Sequence, residues 1–225
     1  MKLFKHLPNF ITLLNLLTGS VGIVMALQGN LIVAAFCVFI AAVFDFLDGF
    51  VARLLKANSS IGKELDSLAD VISFGLLPGI IAYSLLSQNT ESVLWPWLGL
   101  VIAAFSALRL AKFNVDTRQS DQFIGLPTPA NAILFASLPL ILESGNWIFL
   151  SNPGVLSLLV VVFSLLLVAE MPLMALKFKN FSWKENKLKY IFLLISLVLL
   201  FVLAWMAIPL IIVLYIFFSL AGNYL

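Results

Sequence analysis

The stretch that decides the fold is DFLDGFVARLLKANSSIGKELDSLAD, residues 45–70, which places four aspartates in an otherwise apolar chain. Its first half has helical spacing, so one helix face carries Asp45, Asp48, Gly49, Ala52 and Arg53. Its second half forms another single stripe, which carries Gly62, Asp66 and Asp70. The KANSS segment between them favours a turn. The stretch therefore predicts a helical hairpin whose four aspartates converge near its turn.

Four converging carboxylates repel one another, and an ionisable group at the centre of a membrane helix costs at least about 2.5–3.5 kcal/mol. Hard divalent cations with oxygen ligands offset such repulsion. Two such ions that clamp a diphosphate are a recurrent device of phosphoryl transfer. The alternative is a set of charges that reach the membrane surface without a ligand. The matched faces favour a metal site.

The composition sets the class of protein, since 62% of the residues are hydrophobic and 11% are charged, against about 25% charged in globular domains. Apolar runs of about 20 residues recur along the chain, which predicts an all-α, polytopic membrane protein. We expect a single domain over 1–225, with a six-helix core over about 1–180 and two further helices over about 188–222. The eight predicted spans are 10–28, 31–55, 66–87, 93–113, 127–147, 154–176, 188–205 and 207–222.

The basic residues predict the orientation in the membrane. All 13 of them fall in the N-terminal segment and in alternate loops, which are then cytoplasmic: Lys2, Lys5, Arg53, Lys56, Lys63, Arg109, Lys112, Arg118, Lys177, Lys179, Lys184, Lys187 and Lys189. Both termini and the aspartates then lie on the cytoplasmic side of the cell (inner) membrane. The net charge of +2 is too small to indicate a nucleic-acid partner, whereas basic loops suit anionic membrane lipids.

Residues 45–70 fill every position of the pattern D-x2-D-G-x2-A-R-x8-G-x3-D-x3-D, and so the chain resembles the CDP-alcohol phosphotransferases. These integral membrane enzymes make phospholipids from a CDP-linked donor and an alcohol. The resemblance implies that two divalent ions, Mg²⁺ or Mn²⁺, bind Asp45, Asp48, Asp66 and Asp70, and that Asp70 is also the general base. It implies donor binding by Gly49, Ala52, Arg53 and Gly62, and a homodimer.

Two further segments resemble the phosphatidylserine synthase branch of this family. The opening PN-x2-T-x2-N of residues 8–15 implies that Thr12 and Asn15 line the nucleotide pocket. RLAKFN (109–114) and FIGLPTPA (123–130) resemble R-x-A-R-F-N and F-x-G-L-P-x-P-A. They imply a serine site that includes Arg109, Lys112, Arg118, Gly125 and Pro127. The alternative for Arg109 and Lys112 is that they are orientation charges that suit a helix C-terminus.

The expected reaction transfers the phosphatidyl group of CDP-diacylglycerol to L-serine and releases CMP. Within the family, glycerol 3-phosphate and inositol phosphate are alternative acceptors, although a phosphorylated acceptor requires a denser basic pocket. An ion or solute transporter is the alternative from another class, because intramembrane aspartates also mark transport paths. The clustering at one interface and the absence of an inverted repeat in the sequence disfavour transport. A silent scaffold is disfavoured by the complete motif.

Overall fold

The computed structural model describes residues 6–57, 59–116, 123–174 and 182–222, almost all of them in helices. The α-helices are α1 (Leu7–Leu27), α2 (Leu31–Leu54), α3 (Ser60–Asp70), α4 (Leu77–Asn89), α5 (Val101–Val115), α6 (Thr128–Glu143), α7 (Pro153–Val168), α8 (Trp183–Leu203) and α9 (Ala207–Gly222). Two-residue strands β1 (Phe123–Ile124) and β2 (Pro172–Leu173) pair antiparallel. A π-helical segment (Val71–Leu76) joins α3 to α4, and 3₁₀ turns cover Trp95–Leu100, Ile148–Ser151 and Ala204–Met206.

Five of the helical stretches are long and apolar enough to cross a membrane, which confirms the all-α membrane class. They are Leu7–Leu27, Leu31–Leu54, Ser60–Asn89, Trp95–Val115 and Asn186–Ala221. The apolar helices α6 and α7 have 16 residues each. The predicted break between the last two spans is present, because Ala204 adopts φ +48° between α8 and α9. The count of eight spans stays a prediction.

The helical hairpin of residues 31–70 forms as predicted. α2 ends at Leu54, and Ser59 caps α3 by accepting a hydrogen bond from the Gly62 amide at 3.0 Å, which satisfies one of the free amide groups of the helix start. Helix α1 packs against both arms of the hairpin. The hairpin and α1 therefore form one three-helix unit at the end where the aspartates lie.

The helix that carries Asp70 continues as the π-helical segment Val71–Leu76 before α4 begins. Pro78 contributes here because it has no amide hydrogen for an i→i−4 bond. Gly75 and Gly79 let α5 and its preceding turn come close. A Cβ atom at Gly75 would lie 3.0 Å from Ser106 Cβ, and one at Gly79 would lie 3.0 Å from the Gly99 carbonyl oxygen. π-Helical segments of this kind occur frequently at functional sites, and this one begins directly after Asp70.

The predicted span 154–176 is wrong at its C-terminal end, because α7 ends at Val168. Ala169 is extended, and Pro172 disfavours a helical conformation of the residue before it. The chain instead forms β2, in which Leu173 pairs with Phe123. The two strands tie the end of α7 to the segment that leads into α6.

Candidate active site

Three of the four predicted carboxylates meet between the arms of the hairpin. One oxygen from each of Asp45, Asp48 and Asp66 lies within 4.8 Å of the others. Helical spacing explains this meeting, since Asp45 and Asp48 are one turn apart on α2 and Asp66 lies on the facing side of α3. Asp48 is buried and the other two are half-buried. Among the described residues, the buried Oδ1 of Asp66 has no hydrogen-bond partner.

This carboxylate cluster fits a divalent cation. Hard cations prefer carboxylate oxygens, and a buried carboxylate oxygen without a partner is costly unless a ligand satisfies it. Asp48 Oδ2 is already held by the Thr12 hydroxyl, which donates to it at 2.7 Å. Such a fixed ligand orientation is typical of metal sites, where a second layer of hydrogen bonds holds the ligating groups. The number and identity of the ions stay predictions.

A cavity of about 530 Å³ opens beside the cluster. Its wall includes Asp48 and Asp66 together with four of the residues predicted to bind the donor: Thr12, Gly49, Ala52 and Gly62. Among the described residues outside the backbone of α2, a Cβ atom built on Gly49 would meet the Arg53 guanidinium alone, at 3.4 Å for Nη1, so Gly49 leaves space beside the helix backbone. Arg53 itself is exposed and folds back over Gly49.

Asp70 lies one turn beyond Asp66 and is only 7% exposed. It is outside the group of three within 4.8 Å, although it interacts electrostatically with all of them. Asn15, fully buried on α1, donates through Nδ2 to Asp70 Oδ1 at 3.4 Å. The Arg109 guanidinium of α5 also interacts electrostatically with Asp70. Asp70 therefore interacts both with the carboxylate cluster and with Arg109, the first of the predicted acceptor residues.

The structure separates the two basic residues predicted for the acceptor site. Arg109 is 8% exposed, donates through Nη1 to Thr128 Oγ1 at 3.0 Å and lies 5.4 Å from the Phe113 ring centre. Lys112, one turn later on α5, is exposed. The predicted residue Arg118 lies outside the described residues. Of the two described basic residues, Arg109 alone belongs to the buried polar region beside Asp70.

Gly125 and Pro127 position the start of α6 rather than lining the cavity. Gly125 has φ +75°, and its amide donates to the Met171 carbonyl oxygen at 2.9 Å. A Cβ atom there would lie 2.5 Å from the Leu167 carbonyl oxygen, so only glycine fits without movement. Pro127 is the residue before α6, whose first residue, Thr128, holds Arg109.

The sequence interpretation missed three fully buried polar residues in this region: Ser106, Thr128 and Asn131. It also missed Tyr215 of α9, which interacts electrostatically with Arg109 and donates to the Met174 carbonyl oxygen at 2.9 Å. The sequence signal that could have found the first three is their spacing: Ser106 lies one turn before Arg109, and Thr128 one turn before Asn131, in otherwise apolar helices. Tyr215 had no such signal, because its contacts join segments 41 residues apart.

Comparison with known proteins identifies related chains. The family model for CDP-alcohol phosphatidyltransferase matches residues 5–168. A CDP-diacylglycerol–serine O-phosphatidyltransferase of Helicobacter pylori is 34% identical over 87% of this chain and 81% of its own. A Bacillus subtilis protein of the same name is 33% identical over 79% and 92%. An archaetidylserine synthase of Methanothermobacter thermautotrophicus is 37% identical over 60% and 58%.

Proposed function

This chain belongs to the CDP-alcohol phosphatidyltransferase family, and from that membership we propose that it transfers the phosphatidyl group of CDP-diacylglycerol to L-serine. The hydroxyl oxygen of serine forms a bond to the β-phosphorus of the donor, the bond to the CMP oxygen breaks, and CMP leaves. The relatives at 33–34% identity carry the name of this reaction. The single observation that carries the proposal is the carboxylate cluster of Asp45, Asp48 and Asp66, two of whose members, Asp48 and Asp66, line the cavity.

The cavity is proposed to bind the CDP part of the donor. Gly49 and Ala52 leave room for a flat group against α2, because neither has a side chain larger than methyl. Thr12 and Gly62 close the sides, and the exposed Arg53 offers a cation to a donor phosphate. Divalent ions bound to the carboxylates, Mg²⁺ or Mn²⁺ and two in number by our proposal, would neutralise the diphosphate.

Asp70 is proposed to accept the hydroxyl proton of serine. Asn15 orients its Oδ1, and in the described part of the chain no hydrogen bond reaches Oδ2, so this oxygen is available to the proton. The electrostatic interaction of Asp70 with both the carboxylate cluster and Arg109 supports the role, since the base must lie within reach of the acceptor hydroxyl. Arg109 is proposed to bind the serine carboxylate, with Lys112 and Arg118 as outer basic groups.

An acceptor competition assay tests the function. The purified protein in detergent receives CDP-diacylglycerol, Mn²⁺ and L-serine, glycerol 3-phosphate or inositol phosphate, and CMP release is measured with and without a chelator. We expect CMP only with serine and only with the metal. The single described buried cation, Arg109, is poorly matched to a doubly charged phosphate. Release of CMP with a phosphorylated acceptor and not with serine would overturn the proposal.

The orientation and assembly are proposals as well. We propose that the active site and both termini face the cytoplasm of a cell with this protein in its inner membrane, supported by the distribution of basic residues. In a Cys37→Ala background, a membrane-impermeant maleimide added to intact cells should label Glu91→Cys and leave Lys56→Cys unlabelled. Both positions are exposed, so the reverse pattern would invert the topology. The homodimer, proposed from family resemblance, is tested by light scattering of the protein–detergent complex.

A further inference from the structure

Asn131 on α6 is the least satisfied buried polar side chain in the described part of the protein. It is fully buried, and neither its Nδ2 nor its Oδ1 has a hydrogen-bond partner. A carboxamide can donate two hydrogen bonds and accept two, and a buried polar group that makes none destabilises the fold. A group kept in this state indicates a ligand that satisfies it.

Two other buried polar side chains, on helix α5, also have atoms without partners among the described residues. Thr128 lies one turn before Asn131 on the same face of α6 and holds Arg109. Arg109 keeps a buried Nε without a partner, and Ser106, one turn earlier on α5, keeps a buried Oγ without one. Ser106 packs against Gly75 of the π-helical segment, which begins directly after Asp70. Arg109, which interacts electrostatically with Asp70 and is held by Thr128, thus links the unsatisfied groups of α5 with those of α6.

The chemistry of these groups is that of a receptor for a free α-amino acid. Arg109 Nε and Asn131 Nδ2 are donors without an acceptor, as a carboxylate requires, and Asn131 Oδ1 is an acceptor without a donor, as an ammonium requires. A carboxamide presents its donor and its acceptor side by side, and the ammonium and carboxylate of an α-amino acid are likewise adjacent. Because water does not reach these atoms, it does not compete for the bonds. The site is closed in this structure, so binding includes an opening between α5 and α6.

We propose that Asn131 is the residue that selects an α-amino acid as the acceptor: its Oδ1 accepts from the ammonium of serine and its Nδ2 donates to the carboxylate. This inference rests on the proposed function. It adds to the role of Arg109, because a cation alone attracts any anionic acceptor, whereas the carboxamide also requires the ammonium group. Both ends of the zwitterion are then recognised by one side chain.

The test measures kcat/KM for L-serine, for ethanolamine, which lacks the carboxylate, and for 3-hydroxypropionate, which lacks the ammonium. Asn131→Leu removes both hydrogen bonds at similar size. We expect kcat/KM for serine to fall about 10- to 100-fold, because hydrogen bonds to two charged groups are lost. The value for each analogue should fall less than the value for serine, because each analogue loses only one of the two hydrogen bonds, and the KM for CDP-diacylglycerol should change less than threefold. Asn89→Leu, at an exposed asparagine of α4, is the matched control and should change none of them.

Asn131→Asp gives a directional test that a structural role does not predict. The new carboxylate keeps an acceptor for the ammonium and repels the serine carboxylate, so the ratio of ethanolamine to serine use should rise at least tenfold. Equal loss with all three acceptors, or a raised KM for CDP-diacylglycerol, in either variant would overturn the inference. If Asn131→Leu does not fold, Asn131→Asp and Asn131→Ser carry the same comparison. Wild-type protein that uses another acceptor and not serine would refute the proposed function itself. Serine use with unchanged acceptor ratios in the variants refutes only the role of Asn131.

Discussion

Replacing Asp66 by asparagine should stabilise the protein when no divalent metal is present. Two carboxylate charges 4.8 Å apart repel by about 3.5 kcal/mol at an effective dielectric constant of about 20. The cluster has three such pairs, and Asp66→Asn removes two of them, about 7 kcal/mol. In the wild type, one carboxyl group can take up a proton and so remove the same repulsion. At pH 7 this protonation costs an ordinary carboxyl group about 4 kcal/mol, so the stability gained from Asp66→Asn is limited to about that value. The new carboxamide can also donate to the remaining carboxylates.

The assay is thermal unfolding in detergent with EDTA and with Mn²⁺. A gain of 2–4 kcal/mol raises the Tm by roughly 4–16 °C for a chain of this size. In EDTA the variant should therefore unfold above the wild type. In Mn²⁺ the wild type should gain more stability than the variant, because the stabilisation by a bound metal grows with the logarithm of its affinity. Glu64→Gln, at an exposed carboxylate on the same helix, is the control, and its Tm should match that of the wild type both in EDTA and in Mn²⁺. An unchanged or lower Tm of Asp66→Asn in EDTA would refute the mutual repulsion of the cluster.

Four other changes divide the site by role. Asp70→Asn should nearly abolish CMP release and keep metal-dependent binding of CDP-diacylglycerol, measured by equilibrium binding, whereas Asp66→Asn should weaken both; equal donor affinity in the two variants would contradict this division. Arg109→Ala should raise the KM for serine about 10- to 100-fold through loss of a charge-assisted contact, and the exposed Lys112→Ala should raise it less; the reverse order would move the serine carboxylate to Lys112. Gly125→Ala should lower the Tm, since its Cβ would meet the Leu167 carbonyl oxygen at 2.5 Å; an unchanged Tm would show that this loop relaxes freely. Tyr215→Phe should raise the KM for serine a fewfold and leave that for CDP-diacylglycerol unchanged, because the hydroxyl ties α9 to Met174; an effect on the donor alone would contradict this link.

Local sequence spacing predicted the hairpin and its carboxylates, because both depend on helical periodicity within 26 residues. Spacing failed where distant segments decide the outcome. In the sequence, Arg109 and Lys112 look equivalent, because they are charges one turn apart. In the structure, Arg109 is buried and bonded to Thr128 of another helix, whereas Lys112 is exposed. The end of α7 was misplaced because β2 pairs with a strand about 50 residues earlier. Asn131 went unnoticed because its significance lies in the absence of a partner, which a sequence does not record.

The π-helical segment Val71–Leu76 sets the rotation of α3, which carries Asp66 and Asp70, relative to α4, which packs in the apolar core. The i→i+5 hydrogen bonds of a π-helical segment span one residue more than those of an α-helix, and each residue of an α-helix corresponds to a rotation of about 100°. Deleting a residue such as Ile72 would allow a regular helix in which α4 keeps its neighbours. Asp66 and Asp70 would then turn by about 100° away from α2 and Asn15. The extra residue therefore lets one continuous helix direct Asp66 and Asp70 toward α2 and Asn15 and also pack α4 against its neighbours, which an uninterrupted α-helix could not do.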